Sequence, residues 1–95
     1  MNSKDKVLKW ANRIRKEVFH KKPLKRLPRG VMEDGQSCVI HNCFAAAYDR
    51  DILVDPERTL IYGDSFMTDI IHHPLYIQKF ISDFDGGEYP ELEIK

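Results

Sequence analysis

The sequence contains no apolar run near the roughly 20 residues that a membrane-spanning helix requires, and its 95 residues include only two cysteines. The first lack argues against a helical membrane span, and the second against a disulfide framework. Cys38 and Cys43 lie five positions apart. On a helix their Cα atoms would stand about 8 Å apart, beyond the ~7 Å that a disulfide bridges. They read as free thiols in a reducing compartment. The opening segment, MNSKDKVLKW, alternates charge with apolar residues and lacks the unbroken apolar stretch of a secretory signal. The protein is therefore expected in the cytoplasm. Internal repeats and low-complexity tracts are absent, and so is net charge, with 15 basic residues against 15 acidic ones.

What is present is enough to fold. An apolar content of 42% with 32% charged residues is a globular composition. A chain of this length forms one domain over residues 1–95, with a thin stability margin because small domains bury a smaller share of their surface. The charges are segregated along the chain. Residues 1–30 carry eleven Lys and Arg against Asp5 and Glu17, whereas residues 31–95 carry four against thirteen acids. A basic helix plus long loop (1–36) thus precedes an acidic α+β body (37–95).

Residues 3 to about 20 have helical periodicity: Val7, Leu8, Trp10, Ala11, Ile14, Val18 and Phe19 share one side, and Lys6, Lys9, Asn12, Arg13, Lys16 and Glu17 the other. Asn2 or Ser3 can cap it. Residues 21–36 contain Pro23, Pro28, Gly30 and Gly35, which argues for an irregular loop, pinned by Leu24, Leu27 and Val31. Such long connections are usually functional or disordered. Ser37 fits the cap of a second helix to about Tyr48, with Val39, Ile40, Cys43, Phe44 and Ala47 on its apolar face and Cys38, His41 and Asn42 pointing away. Ile52–Val54 and Thr59–Tyr62 read as strands joined by Asp55-Pro56-Glu57-Arg58, the order of a type I turn. The same tetrapeptide would also start a helix, with Asp55 as cap and Pro56 at N1, but the short, branched flanks favour the hairpin. Phe66–Ile71 is open between strand and helical turn. Pro74 fits the first position of a last helix carrying Ile77, Phe80, Ile81 and Phe84, closed by Gly86-Gly87. Tyr89, Leu92 and Ile94 could dock the acidic tail. The expected fold class is α+β: three helices packed on a short β-hairpin or small antiparallel sheet.

Two segments resemble a known group. LPRGVMEDGQSCVIHN (27–42) is similar to a stretch of small, largely uncharacterised actinobacteriophage accessory proteins: Pro-Arg-Gly, an acidic or Gly residue, then Cys before an Asn-bearing helix. FISDFDGGEYPEL (80–92) is similar to their end, an apolar helix closing in Asp-Gly-x-Tyr-Pro. Val39 stands where that group usually has Pro, and the lysine-rich first helix is not a hallmark of it. The resemblance implies an accessory protein made in the cytoplasm of an infected host, and it carries over no catalytic or binding residues.

Four chemistries can be weighed. Cys38 at a helix start, with His41 one turn on and Asn42 beside it, has the residue types of a thiol nucleophile. Adjacent turns of one helix align such a pair poorly, and a small residue filling space is the plainer reading. Cys38 and His41 with His72-His73 could supply four metal ligands, but the spacing is not that of structural zinc sites, and His73 fits a cap of the last helix better. Lys9, Arg13, Lys16, Lys21, Lys22, Lys25, Arg26 and Arg29 form a candidate macromolecule-binding set, suited to nucleic-acid phosphates or to an acidic protein. Asp49, Asp51, Asp55, Glu57, Asp64 and Asp69 form a candidate acidic interaction face around the hairpin. The two charge sets could also neutralise one another within the chain or in a homodimer. The expectation is a non-enzymatic protein with no cofactor and no metal. It acts by stoichiometric binding, of a host protein first and of nucleic acid as the alternative.

Overall fold

The computed structural model describes residues 2–45, 51–63 and 66–94. The element order is α1 (Ser3–Glu17), α2 (Val39–Ala45), β1 (Asp51–Val54), β2 (Arg58–Gly63), β3 (Phe66–His72), α3 (Leu75–Asp85) and a 3₁₀ turn, Pro90–Leu92. This is a small α+β globule of three helices and one three-stranded antiparallel sheet.

Asn2 caps α1 through its side chain, which accepts the backbone N–H of Asp5. The periodic face is the buried one: Val7, Trp10, Ala11 and Ile14 enter the core. The helix stops three residues short of the expected end. His20 takes a left-handed φ of 56°, and the Lys21 N–H closes on the Arg15 carbonyl. Phe19, just past the helix, folds back onto Phe44 with ring centroids 5.2 Å apart.

Arg15 stands apart from the exposed cations of α1. It is buried, and its guanidinium donates to the carbonyls of Lys22 and Cys43. It ties the loop to the last turn of α2, where carbonyls lack helical partners, and so is not available to a ligand. In the loop, Asn12 accepts from the Leu24 N–H and donates to the Leu24 carbonyl. Leu24 and Leu27 pack on the core as expected, but Val31 is exposed.

α2 begins one residue later than expected. Cys38, not Ser37, occupies the cap position, and its Sγ accepts the His41 N–H at 3.4 Å. Cys38 is buried together with Val39, Ile40, Cys43 and Phe44, so it does not point away from the core. Ala47 and Tyr48 lie outside the described residues.

β1 and β2 form the expected hairpin. Asp55 Oδ1 accepts the N–H groups of both Glu57 and Arg58, and the Asp55 N–H reaches the Arg58 carbonyl. The ambiguity at 66–71 resolves as strand: β3 pairs antiparallel with β2, with a bulge between Ile61 and Tyr62. Ile52, Val54, Thr59, Ile61 and Ile71 face the helices, as the two-residue side-chain period of strands requires. Pro74 sits at the N-cap of α3, one position before the expected one, and its carbonyl accepts from Ile77 and Gln78. Gly87, at φ 83°, supplies the left-handed residue beyond the helix.

The tail returns to the loop. The Gly30 N–H donates to the Leu92 carbonyl, and the Ile94 N–H to the Gly30 carbonyl. Leu92 is buried and Tyr89 packs on the core, whereas Ile94 is half exposed.

Candidate functional site

The candidate side chains fall in three regions. The first is the thiol and histidine chemistry near α2. Burial pushes the Cys38 thiol up and pushes Cys43 up to about 12, the direction opposite to activation. The Cys38 sulfur meets the backbone of His41, while the imidazole Nδ1 lies 3.2 Å from Asn42 Oδ1. Asn42 Nδ2 donates to the carbonyls of Arg29 and Ser37, clamping the loop. The Cys/His/Asn grouping is thus a packing and loop-holding arrangement.

His73 also departs from its expected role as a helix cap. It is buried, its Nε2 lies 2.7 Å from Thr59 Oγ1, and its Nδ1 lies 3.2 Å from the Pro56 carbonyl. Burial lowers its pKa, with the Pro56 carbonyl opposing that shift. Its neighbour His72 is exposed on β3. Among the described residues no group of three or more His, Cys, Asp or Glu side chains is placed to hold a metal ion, and no described helix is long and apolar enough to cross a membrane.

The second region is cationic. A groove of about 750 Å³ runs along the outer face of α1, lined by Lys6, Lys9, Arg13, Lys16, Glu17 and Lys21, with Trp10, Asn12, Pro23 and Tyr76 completing it. The helical spacing of Lys9, Arg13 and Lys16 places them on one stripe. The loop brings Lys21 and Pro23 to one side, and α3 brings Tyr76. The result is a hollow lined by five cations, with the exposed Pro23 and Tyr76 beside them and an edge of the buried Trp10 reaching it.

Of the eight basic residues singled out in the sequence, Lys9, Arg13, Lys16 and Lys21 meet in this groove. Lys25 and Arg26 stand elsewhere, by a smaller hollow of about 260 Å³ with Lys4, Leu8 and Leu92. Lys22 and Arg29 are exposed residues whose carbonyls are engaged by Arg15 and Asn42. Lys6, Trp10, Pro23 and Tyr76 were not in that set. Lys6 was legible from the helical stripe, but Tyr76 joins from α3, far along the chain, and no local pattern announces it.

The third region is acidic. Of the six acids singled out, Asp49 and Asp64 lie outside the described residues. Asp55 and Glu57 occupy the hairpin turn beside Arg58, whose Nη2 lies 3.1 Å from Glu57 Oε2. Asp51 and Asp69 are exposed on β1 and β3. A hollow of about 210 Å³ instead gathers Glu33, Asp34, Asp55 and Asp85 around Gly35, Cys38, Val54 and Ile81. Three of these four carboxylates come from the loop and from α3 and meet Asp55 at the hairpin. The two hollows differ in sign: one is lined by five cations and a single acid, the other by four acids and no cation.

Family models, curated proteins and solved structures provide no match to this chain.

Proposed function

We propose that this chain acts by stoichiometric binding, with the cationic groove along α1 receiving an acidic segment of a protein partner. The observation that carries this reading is the composition of the groove: Lys6, Lys9, Arg13, Lys16 and Lys21 surround Trp10, Pro23 and Tyr76. Clustered cations draw an anionic partner in and fix its orientation. The exposed ring of Tyr76 beside them offers an anchor of the kind that carries most binding energy at protein interfaces.

The buried thiols and the fully engaged His73 fit a protein without turnover. The resemblance of residues 27–42 and 80–92 to actinobacteriophage accessory proteins supports a host protein, met in the host cytoplasm, as the partner.

The test is affinity capture from host lysate with the wild type and with Lys9→Glu/Arg13→Glu/Lys16→Glu. The three side chains are exposed, so the variant should fold. The expected result is one protein retained in stoichiometric amount by the wild type and lost by the variant. Equal capture by both would refute the groove.

A nucleic-acid reading is favoured by one observation: Lys22, Lys25, Arg26 and Arg29 add exposed cations beyond the groove. It requires retention on duplex or single-stranded DNA that falls steeply as salt rises. The four acids of the opposite hollow would repel a nucleic acid that wrapped further around the molecule.

A further inference from the structure

The cations of α1 are regularly spaced. Lys6, Lys9, Arg13 and Lys16 follow one another at intervals of three, four and three, so they form one exposed stripe along the groove. From Lys6 to Lys16 the stripe runs on the order of 15 Å. None of the four makes an ion pair among the described residues, so their charge is unanswered within them.

The groove does not end at Lys6. Lys6 and Tyr76 also line a second hollow of about 210 Å³, which continues past them to Ser3, Lys79 and Tyr89. Here the character changes. Lys79 is already paired with Asp83 at 2.7 Å, and the Tyr89 ring lies 4.9 Å from that of Phe80. A cationic length therefore leads into an end marked by two tyrosines.

The spacing of the stripe selects a partner conformation. Acids at intervals of three, four and three lie on one face of a helix, whereas on a strand they fall on both sides. Acids on one side of a strand repeat every ~6.7 Å, but the cations advance by about 5 Å, so the two rows lose step. Two helices packed at about 20° keep such rows in register over several turns.

We propose that the occupant of the groove is an acidic amphipathic α-helix of a protein partner. It lies along α1 with carboxylates against Lys6, Lys9, Arg13 and Lys16, and with an apolar side chain at one end against Tyr76 and Tyr89. This rests on the reading of the groove as the site of an acidic protein segment, and adds the conformation of that segment and its apolar end. Exposed ion pairs are individually weak, so the tyrosine contact fixes how far along α1 the helix sits.

Anisotropy titrations with three labelled synthetic peptides test this. The first carries Glu at intervals of three, four and three, with Leu one turn beyond each end because that spacing reads the same in both directions. A hydrocarbon staple on its opposite face holds it helical. The second has the same composition and staple, with the Glu residues distributed around the helix. The third is the first with its staple left open and a central Pro, which breaks the helix. The first is expected to bind at least tenfold tighter than the other two, and exchange of both Leu for Ser to weaken it at least fivefold. Lys9→Glu/Arg13→Glu should bind the first peptide poorly. A peptide with Lys in place of the two central Glu residues should recover affinity on that variant, a restoration that loss of fold would not produce. Equal binding of all three peptides overturns the helix and leaves the groove an acceptor of any acidic segment. Indifference to the Leu exchange overturns the placement against the tyrosines. Failure of every peptide to bind overturns the inference together with the reading beneath it.

Discussion

Asp85 Oδ1 accepts the backbone N–H of Glu33 at 2.8 Å, joining two residues 52 positions apart. Glu33 holds a left-handed φ of 57°, which side chains bearing a Cβ adopt at a cost, and Asp85 is the acceptor that holds it there. Segments 27–42 and 80–92 meet at this contact and again where Gly30 pairs with Leu92. Asp85→Ala should lower stability by about 0.5–1.5 kcal/mol, the net worth of a typical hydrogen bond, whereas Asp85→Asn retains an acceptor and should lower it less. Urea unfolding of the two variants measures the difference.

Gly30 is required by space. A Cβ there would stand 2.2 Å from the Val39 nitrogen and 2.4 Å from the Cys38 carbonyl carbon, both backbone atoms at the start of α2. Gly30→Ala must displace the loop or the helix and also strains the tail bonds to Leu92 and Ile94. A loss of about 2–3 kcal/mol is expected, at the upper end of overpacking costs. Gly86→Ala is the control. Its nearest non-neighbour atom lies at 3.3 Å, and it should cost far less by thermal melting.

Stability should fall as pH drops through the histidine range, and His73 is the cause. Its folded pKa lies below 6.5 because burial disfavours the imidazolium, with the Pro56 carbonyl opposing that shift. The unfolded chain therefore takes up a proton at about 6.5, where the folded protein does not. Stability is complete above that pH, declines as pH falls below it, and stops declining once the folded ring protonates. Denaturation midpoints between about pH 5 and 7 should show this slope, a window above most carboxylate titration. Thr59→Val/His73→Phe should flatten it.

Both cysteines should resist alkylation in the native protein. Cys43, pushed up to about 12, should react more slowly than Cys38. Timed reaction with iodoacetamide, with and without denaturant, gives the two rates. Fast native modification of Cys38 would restore the reactive-thiol reading.

The parts of the fold legible in the sequence are those where burial imposes a period. The Val7, Trp10, Ala11, Ile14 face of α1 and the Ile77, Phe80, Ile81, Phe84 face of α3 are both buried. Asp55-Pro56 marked the hairpin because its chemistry is local, with one carboxylate satisfying two turn amides. β3 was ambiguous because only Ile71 of its seven residues is buried, which leaves no alternation to detect. The burial of Arg15 was not legible, because nothing in its local pattern separates it from the neighbouring Arg13 and Lys16. Its burial depends on two carbonyls, from Lys22 and from Cys43 of another helix. The candidate site divides the same way. The basic stripe of α1 is local and was readable, but the Tyr76 contribution and the joining of Glu33 and Asp34 with Asp85 depend on how distant segments meet.

The most direct measurement is a titration of the protein with a synthetic peptide that is acidic on one side and apolar on the other, followed by Trp10 fluorescence and peptide anisotropy. Trp10 belongs to the groove and is the chain's one tryptophan, so occupancy should alter its emission. Saturable binding at one peptide per chain is expected, weakened at least tenfold by Lys9→Glu/Arg13→Glu/Lys16→Glu. Absence of binding, or binding unchanged by that triple reversal, would contradict the account.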